Sequence, residues 1–216
     1  MTDGFDPSHV DPSRVELVML DPASTRQDAA RVTGQATAHG CAAVCLPPTL
    51  FPLRDVPEDL RLVAVAGYPS GKHHPLVKGS EAHMSIVNGA HEVHAVVDAA
   101  NVVAADVNAL ISEIVTLREA VPYPATLQVA VGGPDTDLAL DDDRILAFCR
   151  AAATAGADMV AVPHGWTAAA AQGAVPVKAT GVRTAADAAR ALGTGARRVA
   201  VASDALGDVL GETPQA

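Results

Sequence analysis

The chain has 216 residues, of which 49% are hydrophobic, 19% charged and only 3% aromatic. That length suits one domain around a single core, and the low charge argues against disorder. A net charge of −10 excludes the basic face that nucleic acid or an anionic membrane would require.

No apolar run approaches the ~18 residues of a membrane span. Residues 1–13 carry Asp3, Asp6 and Asp11 and no apolar stretch, so no signal peptide is expected. Three cysteines, an odd number, read as reduced thiols of a cytoplasmic protein rather than a disulfide framework.

Residues 1–14 read as an N-terminal arm and 15–216 as one domain of alternating strands and helices. In chain order the pattern predicts a strand at 15–19, a helix at 26–39, strands at 41–46 and 62–66, a helix at 76–88, a strand at 92–97 and a helix at 104–120. A strand at 126–131, a helix at 141–155, strands at 159–162 and 175–178, a helix at 185–192, a strand at 198–201 and a helix at 204–210 follow. Thr25 with Asp28 and Thr184 with Asp187 have capping-box spacing. Gly40, Gly89, Gly156 and Gly195 each stand between a helix end and the next strand. Eight such units of about 25 residues make a single-domain (β/α)8 TIM barrel. A doubly wound open sheet is the alternative, weakened because no Gly-x-Gly-x-x-Gly follows the first strand.

Several segments resemble one family in order along residues 15–210. These are Cys45-Leu46-Pro47; Gly67-Tyr68-Pro69-Ser70-Gly71 followed by Lys78, Glu81 and Ala82; and Gly89-Ala90-His91-Glu92-Val93-His94. Ala155-Gly156-Ala157-Asp158 and Val177-Lys178-Ala179-Thr180-Gly181-Val182-Arg183-Thr184 complete the set. Together they resemble the deoxyribose-phosphate aldolases. The resemblance implies a barrel enzyme with a small-molecule carbonyl substrate and, as a possible assembly, a homodimer. It also implies departures. The family's Schiff-base lysine on strand six falls at Ala161, its strand-four acid/base Asp at His94, and its strand-five Lys and Glu at Gln128 and Gly132. Its strand-one Asp appears as Glu16, and its strand-seven lysine remains as Lys178. The family's phosphate turn corresponds to Gly181, Arg183 and Ser203, beside which Asp204 is either a carboxylate in the phosphate position or a plain N-cap.

Strand alternation gives an independent reading. In strand four, Val93, Ala95 and Val97 face the helices, while Glu92, His94, Val96 and Asp98 face the axis. In strand five, Gln128, Ala130 and Gly132 face in. Ala64 and Ala66 of strand three are expected inward, which makes the lumen roomier than the aldolase pattern implies. The chain has three lysines, and any imine must form on one of them. Lys178, at a strand end, is the candidate imine-former or proton shuttle; structural pairing with Glu16 or Asp98 is the alternative. Lys72 and Lys78 read as loop and helix-surface residues. His94 and His164 are the candidate acid/base groups. With Asp98, and His73 and His74 nearby, they supply an N,N,O donor set but no tight metal motif, so no metal or other cofactor is expected. Trp166 is a pocket wall or a loop anchor. Cys41 and Cys45 are expected on one face of strand two.

The favoured reading is an aldolase-like lyase of altered chemistry, running aldol cleavage, enolisation, dehydration or cyclisation. A non-catalytic binding barrel and a conventional 2-deoxyribose-5-phosphate aldolase are the alternatives.

Overall fold

A computed structural model describes residues 10–132 and 138–211. Eight parallel strands close in sequence order into a barrel, β1 pairing with both β2 and β8. The strands are β1 (Val15–Val18), β2 (Ala43–Leu46), β3 (Arg61–Ala66), β4 (Glu92–Val97), β5 (Thr126–Val131), β6 (Met159–Pro163), β7 (Val177–Val182) and β8 (Ala196–Ala202). The helices are α1 (Arg26–Ala38), α2 (Pro75–Val87), α3 (Ala99–Val103), α4 (Val107–Ala120), α5 (Asp142–Thr154), α6 (Thr167–Ala170), α7 (Ala185–Gly193) and α8 (Leu206–Leu210). The β2–β3 connection carries only a 3₁₀ turn, Pro48–Leu50.

Local chemistry accounts for the boundaries. Thr25 accepts from the Asp28 N–H and Asp28 returns a bond to the Thr25 N–H, closing the capping box of α1. The Thr184 side chain likewise accepts from Asp187 N at the start of α7. The expected helix at 104–120 begins later: Asp98 and Asp106 each cap a helix start, giving α3 and α4 separately. Residues 1–9 of the expected arm lie outside the described residues. Val10 is buried in the core, and the Arg14 guanidinium donates to the Ala196 carbonyl.

Two apolar shells lie between sheet and helices. One joins β1, β2, α1, α7 and α8; the other joins β4, β5, α4 and α5. Inside the sheet are two smaller clusters, Ala43, Cys45, Val63 and Val65, and Val96, Ala130 and Ala161. These assignments correct strand three: Ala64 and Ala66 pack outward against helices, and Val63 and Val65 fill the lumen. On β3 the small residues serve the close strand–helix contact, and the larger valines point into the interior. Cys41 precedes β2 and packs in the outer shell, whereas Cys45 faces the lumen, so the two do not share a face. Among the described residues no helix is long and apolar enough to cross a membrane.

Candidate active site

The barrel interior holds a connected set of charges. Lys178 and Glu16 are fully buried, with Nζ 2.7 Å from the Glu16 carboxylate. Lys178 also donates to the Gln128 side-chain oxygen, and the Gln128 amide donates to Glu92. Arg198 bridges Glu16 at 3.1 Å and Glu92 at 2.7 Å. Arg61 reaches Glu92 from the start of β3, 3.1 Å away. Five inward positions on β1, β4, β5, β7 and β8 thus close a ring. Two buried carboxylates face the buried Lys178 and the partly exposed Arg198, each paired with a carboxylate as burial of charge demands. Burial pushes the carboxyl of Glu16 up, but Lys178 and Arg198 outweigh it and hold it below the usual range. Burial acts the same way on Glu92 and is overcome mainly by its bond to Arg198.

This ring resolves the position of Lys178. The strand continues to Val182, four residues past its expected end, because Gly181 at φ 72° forms a bulge rather than a turn. Lys178 is therefore at the start of β7, low in the barrel, and its partner is Glu16. Asp98 is elsewhere: it caps α3 and pairs with Lys72 at 2.8 Å. Asp98 and Lys178 are not brought together.

His94 does adjoin the ring. It faces the axis and is 7% exposed, and its Nδ1 is enclosed without a hydrogen-bond partner. Burial, then the Lys178 charge, depress its basicity well below the ordinary histidine range; the adjacent Gln128 side chain opposes them without prevailing. The imidazole is neutral near pH 7. Ala161 is the Cα partner of Lys178 across β6–β7 and packs with Val96 and Ala130. Tyr68, from the loop after β3, packs on both lumen clusters. The upper lumen is thus covered by an aromatic ring instead of left open.

Other candidates lie apart. His164 follows β6 in a 3₁₀ turn, beside Gly181 rather than among the ring residues; its Nδ1 is also buried and unpaired. Among the described residues no three His, Cys, Asp or Glu side chains converge as metal ligands, so His94, His164 and Asp98 do not form the N,N,O set. Trp166 is half-buried and packs against the outer shell. Gly132 leaves β5 at φ 66°. At the rim, Arg183 pairs with Asp204 at 2.8 Å, and the Ser203 N–H donates to the Val18 carbonyl. Beside them a cavity of about 420 Å³ opens between the loops after β1 and β8, lined by Asp21, Asp28, Arg31, Ser203 and Asp204 among others.

Lys78 overturns its surface assignment: it is 1% exposed and bonded to buried Glu113. The charged ring also contains Glu92, read from sequence only as an inward position, and Arg198, which with the attached Arg61 had no role from sequence. The available signal was a charged residue inside an apolar strand run.

A Nocardia farcinica deoxyribose-phosphate aldolase is 37% identical over 207 residues, covering 89% of this chain and 90% of that protein. The chain belongs to the deoxyribose-phosphate aldolase family. A Corynebacterium diphtheriae member is 34% identical over 92% of this chain and 95% of its own. A Corynebacterium jeikeium member is 39% identical over 70% of this chain, a match spanning 63% of that protein's length. No protein-family model matches. Among solved structures, an aldolase named QR15 superposes with a TM-score of 0.77 at 20% identity, over 94% of this chain and 93% of that one. The deoxyribose phosphate aldolase of Aeropyrum pernix, described as tetrameric, gives 0.74 at 23% identity, over 95% and 91%. At those identities the structural likeness speaks for the barrel fold.

Proposed function

We propose that this aldolase-family barrel enolises a small carbonyl compound, with His94 as the base and Lys178 as the fixed cation that stabilises the developing enolate. The carrying observation is a neutral, buried imidazole with an unpaired Nδ1 beside an ion-paired ammonium. A base needs a free lone pair near the operating pH, and His94 has one. An enolate needs a preorganised positive charge in a dry site, and the Lys178–Glu16 pair holds one there. Imine formation would first require that ammonium to lose its proton, while Glu16 is held in the charged form that keeps it. Arg183 engaged by Asp204, and the Ser203 amide engaged by Val18, favour an unphosphorylated substrate. Buried free cysteines and the acidic charge fit a cytoplasmic protein, and the family resemblance suggests a homodimer.

The second reading is a conventional aldolase with the imine on Lys178, favoured by the names of relatives at 34–39% identity. One experiment separates them. The protein is incubated in D₂O with 2-deoxyribose 5-phosphate and with unphosphorylated aldehydes and ketones. Exchange at the carbon beside the carbonyl is followed by NMR, and parallel samples are treated with borohydride for intact mass. Exchange lost in His94→Asn, without a borohydride adduct, is expected. An adduct that disappears in Lys178→Met establishes the imine reading. Neither signal with any substrate refutes both and leaves a binding barrel.

A further inference from the structure

The Lys78–Glu113 pair belongs to neither catalytic reading, yet it is as buried as the charges of the barrel interior. Lys78 comes from α2 and Glu113 from α4. Lys78 Nζ donates to the Gly71 carbonyl at 2.7 Å and to the Val96 carbonyl at 3.1 Å, besides Glu113. Both oxygens of Glu113 accept from the Asp98 N–H at 3.2 Å. One turn further along α2, Glu81 accepts from the Gly67 N–H at 2.8 Å. These contacts converge on two short segments: the loop 67–71, which carries Tyr68, and the C-terminal end of β4.

The two glycines of the loop show how tightly it is held. Both have φ near +68°. A Cβ on Gly67 would lie 2.3 Å from Lys78 Cδ, and one on Gly71 would lie 2.0 Å from the Val97 carbonyl. The Lys78 stem therefore fills the space beneath Gly67, while its ammonium ties down Gly71. Tyr68 stands between these attachment points, and its ring rests on the lumen clusters.

We infer that Lys78 and Glu113 are positioning residues that set the loop 67–71, and with it Tyr68, over the mouth of the barrel. Stability alone is a weak reason for the pair, since a buried ion pair is often replaced by apolar side chains without loss. What apolar side chains cannot replace is the set of directional bonds to Gly71, Val96 and Asp98. The clamp acts on Tyr68 whether or not Lys178 forms an imine, so its test is independent of the trapping experiment.

The chain has two tyrosines, Tyr68 and exposed Tyr123, so 3-fluorotyrosine labelling gives two ¹⁹F resonances. Tyr123→Phe assigns them. In the intact protein Tyr68 is expected to give one dispersed resonance. In Lys78→Met and Glu113→Gln it is expected to broaden or collapse towards the free-tyrosine position, with Tyr123 unmoved and circular dichroism unchanged. The double variant Lys78→Met/Glu113→Leu removes the charge imbalance and keeps the fold where a single change fails; the same loss of Tyr68 dispersion is expected. A folded single or double variant with the intact Tyr68 resonance overturns the inference. So does a displacement of Tyr123 equal to that of Tyr68, which would mark a general loosening.

Discussion

The Lys178–Glu16 pair makes the sharpest energetic prediction. Both side chains are fully buried and 2.7 Å apart, while Glu92 beside them is paired with the partly exposed Arg198 and Arg61. Lys178→Met takes the buried cation from Glu16 and leaves it only the partly exposed Arg198 at 3.1 Å, and Glu16→Gln leaves the fully buried Lys178 without its carboxylate. Together they remove one charge of each sign, and Arg198 still has Glu92 at 2.7 Å. Each single change is expected to cost about 3–5 kcal/mol, the usual consequence of stranding a buried charge. In a chain of this size that is roughly 6–20 °C of melting temperature. Two unit charges at 2.7 Å attract by about 6 kcal/mol at an effective dielectric of about 20, which is the ceiling on their coupling. The double variant is expected to be less destabilised than the sum of the singles by at least about 2 kcal/mol. Urea unfolding followed by circular dichroism, extrapolated linearly with the slope checked for constancy, measures all four corners of the cycle. Additivity within about 0.5 kcal/mol would refute the pairing, because independent sites behave that way.

Two further outcomes follow from the same geometry. Ala161→Lys places an amine among Val96, Ala130 and the Lys178 charge, where burial and a like charge both depress its basicity and make it nucleophilic. It is expected to gain a borohydride-trappable adduct with aldehydes at residue 161, at about 1–3 kcal/mol of overpacking; a folded variant without an adduct would show that this position does not meet the carbonyl. The second outcome concerns pH. His94 is held below its ordinary value of 6.5, so the unfolded chain takes up a proton that the folded one does not as pH falls below 6.5. His91 is lowered too, by burial and Arg61. Glu16 and Glu92 are held below 4.5, so their contribution is present above 4.5 and lost only as pH falls through their folded values. The decline between pH 6.5 and 4.5 is thus assigned to histidine, with His94 contributing up to about 1.4 kcal/mol per pH unit. Urea midpoints across this window should fall less steeply in His94→Gln, and equal slopes would contradict the buried-neutral assignment.

The sequence carried the barrel because its signals were local. The glycines at four helix-to-strand turns, the two Thr/Asp boxes and the alternation of β4 and β5 need no distant partner to be read. Strand β3 was not legible in the same way, since Leu62–Ala66 is apolar on both faces and alternation has nothing to contrast. Strand β7 was cut short because Thr180-Gly181 looks like a turn until the bulge carries the chain onward to Val182. His94 was legible as an inward group, and Lys178 as a residue with Glu16 among its possible partners. The assignment of Lys78 failed for a different reason. A lysine on an amphipathic helix is normally solvated, and what buries this one is Glu113, 35 residues on, together with two backbone carbonyls. Nothing in a single sequence links those groups.

The two buried charge systems share one strand. At the lower end of β4, Glu92 is fixed by Arg198, Arg61 and Gln128. At its upper end, the Val96 carbonyl is held by Lys78 and the Asp98 N–H by Glu113. His94 lies between the two grips, with its side chain towards the axis. A general base is effective when its lone pair is held within a fraction of an ångström of the proton it takes, and that precision comes from the surrounding shell rather than from the base. Anchoring β4 at both ends by ionic contacts, with small apolar neighbours in the middle, gives His94 a fixed backbone and no competing partner for Nδ1. A small apolar side chain at Ala161 fits the same arrangement: an ammonium there would stand beside the buried Lys178 charge, whose carboxylate partner Glu16 is already engaged.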